Sequence, residues 1–503
     1  MLPVYETAIH NGIPVFLLPM SPLTTGTIAF GVGQRDEDAR SAGIAHLIEH
    51  VVMNRVGVRS QSVNAFTTDD GLVFTARGDV AFVSDFLTRV SRVISGLDDL
   101  TPAEVSAQRT VIAFELGAEN AKPGRGPLQE RFGVNGLGLV DFGTPAHSAH
   151  GVEEVIAFSR TWLHAGNAAI VLTGPSATHL DVRLPPGSPR EPRERSPAPG
   201  LSGWIPSALP GVTLTLIVGD GARAATSLAI GLIHDVLLND LRHENHLLSS
   251  IDVFVAEWTE QAQFAAFHLD GPTERVEQIA PTAVDLLRTL SVTGADERVR
   301  HSYEEEWGRA VRDPNAQADG LVAHAIGVLR GTARLEAALA DPREVLDADL
   351  TAIFASSLPT LLVSVDDAGI SDPEGFGARL GLPDARATNA YYQQFTRPQL
   401  LRELSRPAVR TFLPRLGRGM RGHQVIVDET RVTYASAETG VVEVSLDRIV
   451  LAGRDDHAGI WTLVSAAGDG IFLRESDWRD GRTLGKLLDQ WVPHDVRYGL
   501  AGP

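Results

Sequence analysis

The sequence predicts an α+β protein: two α/β-sandwich modules of the same element order, followed by a small, mostly-β domain. Three observations lead there. Over the first 175 residues, strand-like and helix-like runs alternate. A similar order returns after a stretch rich in proline and arginine. From about residue 405 the helical periodicity gives way to short runs bounded by turn residues. The expected boundaries are a first module over 1–185, a linker over 186–200, a second module over 201–400 and the small domain over 405–503.

The first module opens with two apolar runs around the Asn11-Gly12 pair, a strand-turn-strand signal. "GTIAFGVG" is a further strand. "SAGIAHLIEHVVMNRV" has helical periodicity, with Ser41 as its expected N-cap. "VNAFTTDDGLVFTARG" returns to strand character around the turn-like "DDG". "VAFVSDFLTRVSRVISGL" is helical and closes near Gly96. The next helix carries strong start signals: Thr101 as N-cap, Pro102 at the first position and Glu104 at the third. "NAAIVLTGP" reads as a buried strand. In the second module, "VTLTLIVGD" is a strand and "LAIGLIHDVLLNDLRHE" a long amphipathic helix. "FVAEW" and "AQFAAFHLD" form a hairpin, and "TLLVSVDD" is a late strand. The last domain reads as short strands closed by one helix, "TLGKLLDQWV".

Bulk chemistry narrows the function. The chain has 503 residues, 43% of them apolar, enough for several cores. A formal charge of −19 argues against nucleic acid, whose phosphates need a basic surface. It argues equally against an anionic membrane. With no cysteine there are neither disulfides nor thiolate ligands, so a metal would have to use His, Asp or Glu. No apolar run reaches the roughly 18 residues that read as a transmembrane helix, and the start lacks the features of a signal peptide. The expectation is a soluble, cytoplasmic protein.

Within "GIAHLIEHVV" stand His46, Glu49 and His50. On a helix, positions i and i+4 share a face, about 5–6 Å apart at Cβ. His46 and His50 are therefore placed to share one metal ion. Glu49 sits beside His50, where a carboxylate can take a proton from a metal-activated water. The alternative for the trio read alone, less favoured than a metal site, is three polar residues on a partly exposed helix. The other histidine pairs, His147/His150 and His243/His246, lack the combination of a flanking apolar helix with an intervening base, and read as solvated. The helix after Thr101 offers Glu104, Glu115 and Glu119 as third ligand. Glu115 stands among Val111, Ile112, Phe114 and Leu116, where a carboxylate needs a partner.

The ordered set "GVGQRDED", "GIAHLIEH", "NAFTTD" and "VIAFE" resembles the pitrilysin/insulinase family of zinc metallopeptidases, with H-x-x-E-H as the inverted form of the H-E-x-x-H zinc motif. The likeness is clear over residues 5–175 and weaker to about 366. It implies Zn²⁺ held by His46, His50 and Glu115, with Glu49 as general base. It also implies a peptide substrate added as a strand beside Asn64 and Ala65. His50 and Glu115 are 65 positions apart, a shorter interval than the family's, because "GVRSQSVNAFT" leads almost directly from the motif helix to the next strand. In the second module the family often carries an Arg and a Tyr seven apart. Arg242 fits the first, and Ser249 stands in place of the second. A plain surface helix residue is an equal reading of Arg242. Some family members work as heterodimers, which suggests a homologous partner subunit supplying the Arg/Tyr pair. The resemblance thus implies a zinc endopeptidase acting on peptides or leader-peptide precursors. The alternative is a non-catalytic, peptide-binding assembly subunit. The final domain resembles a pleckstrin-homology-like barrel.

Overall fold

The computed structural model describes residues 5–19, 24–58, 60, 62–116, 126–174, 180–188, 202–207, 209–219, 223–259, 261–310, 312–333, 342–385, 410–417, 419–436 and 440–499. Most of the expected linker lies outside the described residues, as does Glu119. By their contacts the residues divide into two compact units, 1–36 with 45–105 and 152–385, and 37–44 with 106–151 and 386–503.

The first module runs β1 (Glu6–His10), β2 (Ile13–Leu18), β3 (Thr24–Phe30), α1 (Ile44–Val56), β4 (Val63–Thr67), β5 (Leu72–Gly78), α2 (Val80–Ser95), α3 (Pro102–Leu116), α4 (Pro127–Phe132), α5 (Val152–Trp162) and β6 (Ala168–Thr173). Its sheet has the order β1-β2-β6-β3-β5-β4. Only β2 and β6 are parallel. The alternation along the strands sorts the two faces. Gly26 on β3 meets Val83 and Leu87 of α2, and an added Cβ would lie 2.3 Å from the Val83 side chain.

The second module runs β7 (Gly203–Ser207), β8 (Val212–Gly219), α6 (Arg223–Leu237), β9 (Ser250–Glu257), β10 (Ala262–Asp270), α7 (Val276–Thr293), α8 (Glu297–Ala310), α9 (Pro314–Leu329), α10 (Asp347–Ser357), β11 (Leu362–Asp366) and α11 (Pro373–Leu380). Its sheet order is β7-β11-β8-β10-β9, again with one parallel pair, β7 and β11. Strand for strand this repeats β2-β6-β3-β5-β4, so the duplicated architecture read from the element order is present. The expected long helix is α-helical only to Leu237 and continues as a π-helix over Leu238–Glu244.

Helix α9 of the second module covers the first module's sheet. Its Leu321 and Ala325 pack with Phe16, Leu18, Ala169 and Val171, and its Ile326 with Ala29 and Val73. The uncovered face of a sandwich sheet must be shielded from water, and here that shield comes from the duplicate.

The C-terminal region supplies β12 (Arg410–Phe412), β13 (Gln424–Val427), β14 (Arg431–Ser436), β15 (Gly440–Ser445), β16 (Ile449–Asp455), β17 (Ile460–Ser465), β18 (Gly470–Arg474), α12 (Gly481–Trp491) and β19 (Arg497–Gly499). Two four-stranded sheets, β12-β13-β14-β15 and β18-β17-β16-β19, enclose Trp461 and Trp478 together with Leu484 and Leu488 of α12. In the same unit, Phe142 and Ala146 pack with Leu451, Val464 and Tyr498.

Two helices set up the site. Helix α1 begins at Ile44, later than Ser41 would give: the Ser41 hydroxyl bonds Asp38, and its carbonyl accepts from the Ile44 N–H. Gly43, just before it, has φ +89°, and an added Cβ would lie 2.5 Å from Thr144. Helix α3 opens on the expected capping box. The Glu104 carboxylate accepts from the Thr101 N–H at 2.9 Å and from the Thr101 hydroxyl at 2.6 Å. Arg55, in the last turn of α1, donates to both Glu104 oxygens at 2.8 and 3.0 Å and to Asp99 at 2.5 Å. This fork fixes the start of α3 against the end of α1.

The Arg55 guanidinium, followed by the Thr101 bonds, holds the Glu104 carboxyl at about 2, below its ordinary 4.5. A depressed folded-state pKa adds stability above about pH 4.5 that fades as the pH falls toward 2. Arg55→Ala is expected to cost about 1 kcal/mol at pH 7 in urea unfolding, for a half-exposed pair. The gap to wild type should narrow below pH 4.5. A gap of the same size at pH 2.5 would count against this assignment.

Candidate metal centre

On α1 the two imidazoles fall on one face, as the spacing requires. His46 Nε2 and His50 Nε2 stand 3.2 Å apart. A zinc ion with Zn–N bonds of 2.0–2.1 Å and tetrahedral angles separates two nitrogens by about 3.3 Å. The pair is thus spaced as two ligands of one ion. Glu115 completes the group: His46, His50 and Glu115 each offer one ligand atom, and these atoms lie within 4.8 Å of one another. The donor set, two imidazoles and one carboxylate, suits zinc.

Glu115 reaches this position by helix register. It follows Glu104 by eleven residues, close to three turns, and so shares the face of α3 that Arg55 holds toward α1. The apolar surroundings expected from its neighbours are not there. Glu115 is exposed, and so are Val111 and Phe114, at 45% and 85%. Ile112 alone of that quartet is fully buried.

Glu49 is nearly buried, at 9% exposure, and accepts a hydrogen bond of 2.9 Å from the Thr67 hydroxyl at the end of β4. Thr67 escaped the sequence reading. Its position two residues past Ala65, on the same face of the strand, was the available signal. Asn64 is exposed and Ala65 half-buried, on opposite faces of β4. β4 ends the sheet, so one of its edges has no strand beside it among the described residues. α1 ends at Val56 and β4 starts at Val63, which confirms the short connection.

Arg242 lies in the π-helical turn, exposed, and enters no ion pair among the described residues. Ser249 is engaged elsewhere: its hydroxyl donates to the Asp270 carbonyl at 3.1 Å and also contacts the Asp270 carboxylate. The reading of His147 and His150 as solvated is corrected. They are 8% and 3% exposed, and their Nε2 atoms meet the Arg109 and Ala42 carbonyls at 3.2 and 3.1 Å. A one-turn 3-10 helix folds them inward, and spacing alone carries no sign of that. His243 and His246 are exposed as expected.

Behind β4 lies a buried ion network that sequence reasoning missed. Arg330, just past α9, bonds the Asp36 carboxylate at 2.6 Å and pairs with Asp70 at 2.7 Å. Arg35 pairs with Asp70 at 2.5 Å and donates to the Glu257 carbonyl at 2.9 Å. The Gln34 and Arg35 N–H groups donate to the Thr68 and Asp69 carbonyls at 2.9 and 3.2 Å. Gly33 permits that approach, since a Cβ there would lie 2.4 Å from the Thr68 oxygen. Burial, followed by the neighbouring Asp70, pushes the Asp69 carboxyl up to about 6, against the pull of Arg35 and Arg330.

No family model matches the sequence. No curated protein matches it either. The likeness is to solved structures. A protease from Helicobacter pylori superposes with a TM-score of 0.57 at 14% identity, over 72% of this chain and 99% of that one. The first half of the periplasmic protease PqqL from Escherichia coli gives 0.53 at 14%, over 75% and 96%. A peptidase M16 inactive domain from Pseudomonas fluorescens gives 0.54 at 15%, over 72% and 97%. Among the described residues no helix is long and apolar enough to cross a membrane. The duplicated modules of this chain therefore have the fold of M16-like peptidases, whose solved members include both proteases and an inactive domain.

Proposed function

We propose that the chain is a zinc-dependent endopeptidase that cleaves peptides or leader-peptide precursors, with His46, His50 and Glu115 as ligands and Glu49 as general base. The observation that carries this is the gathering of three ligand atoms within 4.8 Å beside a carboxylate held by Thr67. Bound zinc supplies Lewis acidity, bringing the pKa of a coordinated water to about 7. The chain's own residues do the rest. Glu49 accepts the proton and later returns it to the leaving amine, and its bond from Thr67 keeps the carboxylate aimed. The open edge of β4, with Asn64 and Ala65, takes the peptide as an added strand, so main-chain hydrogen bonds give affinity across many sequences.

We assign the substrate-binding role of Arg242 to a shared site completed by a homologous partner subunit bearing an Arg/Tyr pair. The engagement of Ser249 with Asp270 supports this, because that position supplies no phenol. The chain is then the catalytic half of a heterodimer. In the domain scheme, residues 1–185 are the catalytic module, 186–200 the linker, 201–400 the inactive module and 405–503 a pleckstrin-homology-like domain. The order of seven strands and then α12 supports the last assignment.

Metal analysis of the purified chain should find one zinc per chain. Glu49→Gln should keep that zinc while peptide turnover falls about 10²- to 10⁴-fold, the usual scale for a lost general base. Wild type without stoichiometric zinc would sink the proposal. Zinc without cleavage, alone or with a related chain carrying Arg and Tyr, would instead favour the peptide-binding assembly role.

The partner assignment has its own measurement. Turnover should rise at least tenfold when such a related chain is added. High turnover by the chain alone, unchanged on mixing, would remove the need for a partner.

A further inference from the structure

A cavity of about 550 Å³ lies within the first unit, on the face of the first sheet away from α1. Its walls are that sheet face, the inner side of α9 and the end of β9. The size is that of a small-molecule site. Phe66, Val73, Val171, Val255, Val322 and Ile326 give it an apolar lining. Phe66, Val255, Asp319 and Ala323 are exposed and form the rim.

Five threonines line the cavity too, and the charged part of the lining has one sign. Asp69, Asp70, Glu257 and Asp319 contribute to it, with no lysine, arginine or histidine. The two arginines of the nearby network do not line the cavity, and they pair with Asp36 and Asp70. Asp69 is left over. Among the described residues no hydrogen-bond donor of another residue is found on its carboxylate, although it is largely removed from water. A desolvated carboxylate facing a cavity is stabilised by a cation that enters with its own apolar body.

We propose that this cavity is a binding site for a cationic group on an apolar stem, an amine or guanidinium whose head meets Asp69 and whose body lies against Phe66, Val322 and Ile326. Such a ligand matches both halves of the lining: hydrophobic burial supplies affinity, and the carboxylates select the charge. The head could belong to a free amine or to the basic side chain of a peptide. The occupant would contact β4 from the face opposite Thr67 and Glu49.

The site is independent of zinc, so its test uses the full chain in EDTA. Calorimetry at pH 7.5 compares 4-phenylbutylamine, the blocked dipeptide acetyl-Phe-Arg-amide and the neutral 4-phenylbutanol. At least one of the cations should bind at least tenfold more tightly than the alcohol, and the tighter of the two identifies the source. Asp69→Asn should weaken the better cation at least fivefold, and Ala318→Trp, which fills the cavity from α9, should abolish binding. Melting curves confirm that both variants fold. If neither cation binds wild type at millimolar concentration, or the alcohol binds as well as they do, the proposal is overturned. Binding unchanged in a folded Ala318→Trp would overturn it too.

Discussion

Two guanidinium groups taken out of water, those of Arg35 and Arg330, set the frame on which the first module's working surface rests. Their side chains are 7% and 13% exposed, and those of Asp36 and Asp70 are 4% and 13%. Buried charges at that depth persist only in paired, well-directed geometry. The constraint therefore reaches beyond the four side chains. It fixes the segment ahead of α1 and the turn between β4 and β5 against each other, and main-chain bonds from Gln34 and Arg35 lock the same two segments. β4 leaves that turn with Thr67 in position for Glu49. The charges lie behind the site, yet the alignment of the Glu49 carboxylate depends on them.

On the site itself, helix geometry separates the roles. His46 and His50, four apart, point one way. Glu49 is offset from His50 by one residue, about 100° around the axis, which turns it from the imidazole pair toward β4. The imidazole pair and the carboxylate thus face different ways without competing. Glu115 needs no sequence neighbour at all. Arg55 fixes the first turn of α3, and a rigid helix of 15 residues carries Glu115 to its place from there.

This explains what could be read in advance and what could not. His46, Glu49 and His50 were legible because their relation is local, decided by one helical period. The capping box at Thr101 and the matching order of strands in the two modules were legible for the same reason. Glu115 was singled out through the "VIAFE" resemblance and through its apolar neighbours, of which Val111 and Phe114 prove exposed, so the second of the two arguments has no support in the fold. His147 and His150 depend on a single 3-10 turn folding inward, and Arg330 on a contact 294 positions from Asp36. Nothing in "VLRGTAR" sets that arginine apart. Long-range pairing of a common residue leaves no local pattern.

The duplicate module has the same sheet order without the His46-Glu49-His50 trio. β9 stands where β4 stands in the first module, and α6 where α1 stands. At the position of the histidine-bearing helix α1 stands an α-helix loosening into a π-turn. What the second module adds to the first is physical support. α9 closes an apolar sheet face that would otherwise lie against water, and Arg330 supplies a charge that Asp36 and Asp70 require. A copy that merely repeated the first module would supply neither. Once α9 and Arg330 were built into the first module's interior, removing the duplicate would expose an apolar face and take the Arg330 partner from Asp36, while Asp70 would keep only Arg35. That dependence gives a physical reason for keeping a module that carries no histidine trio of its own.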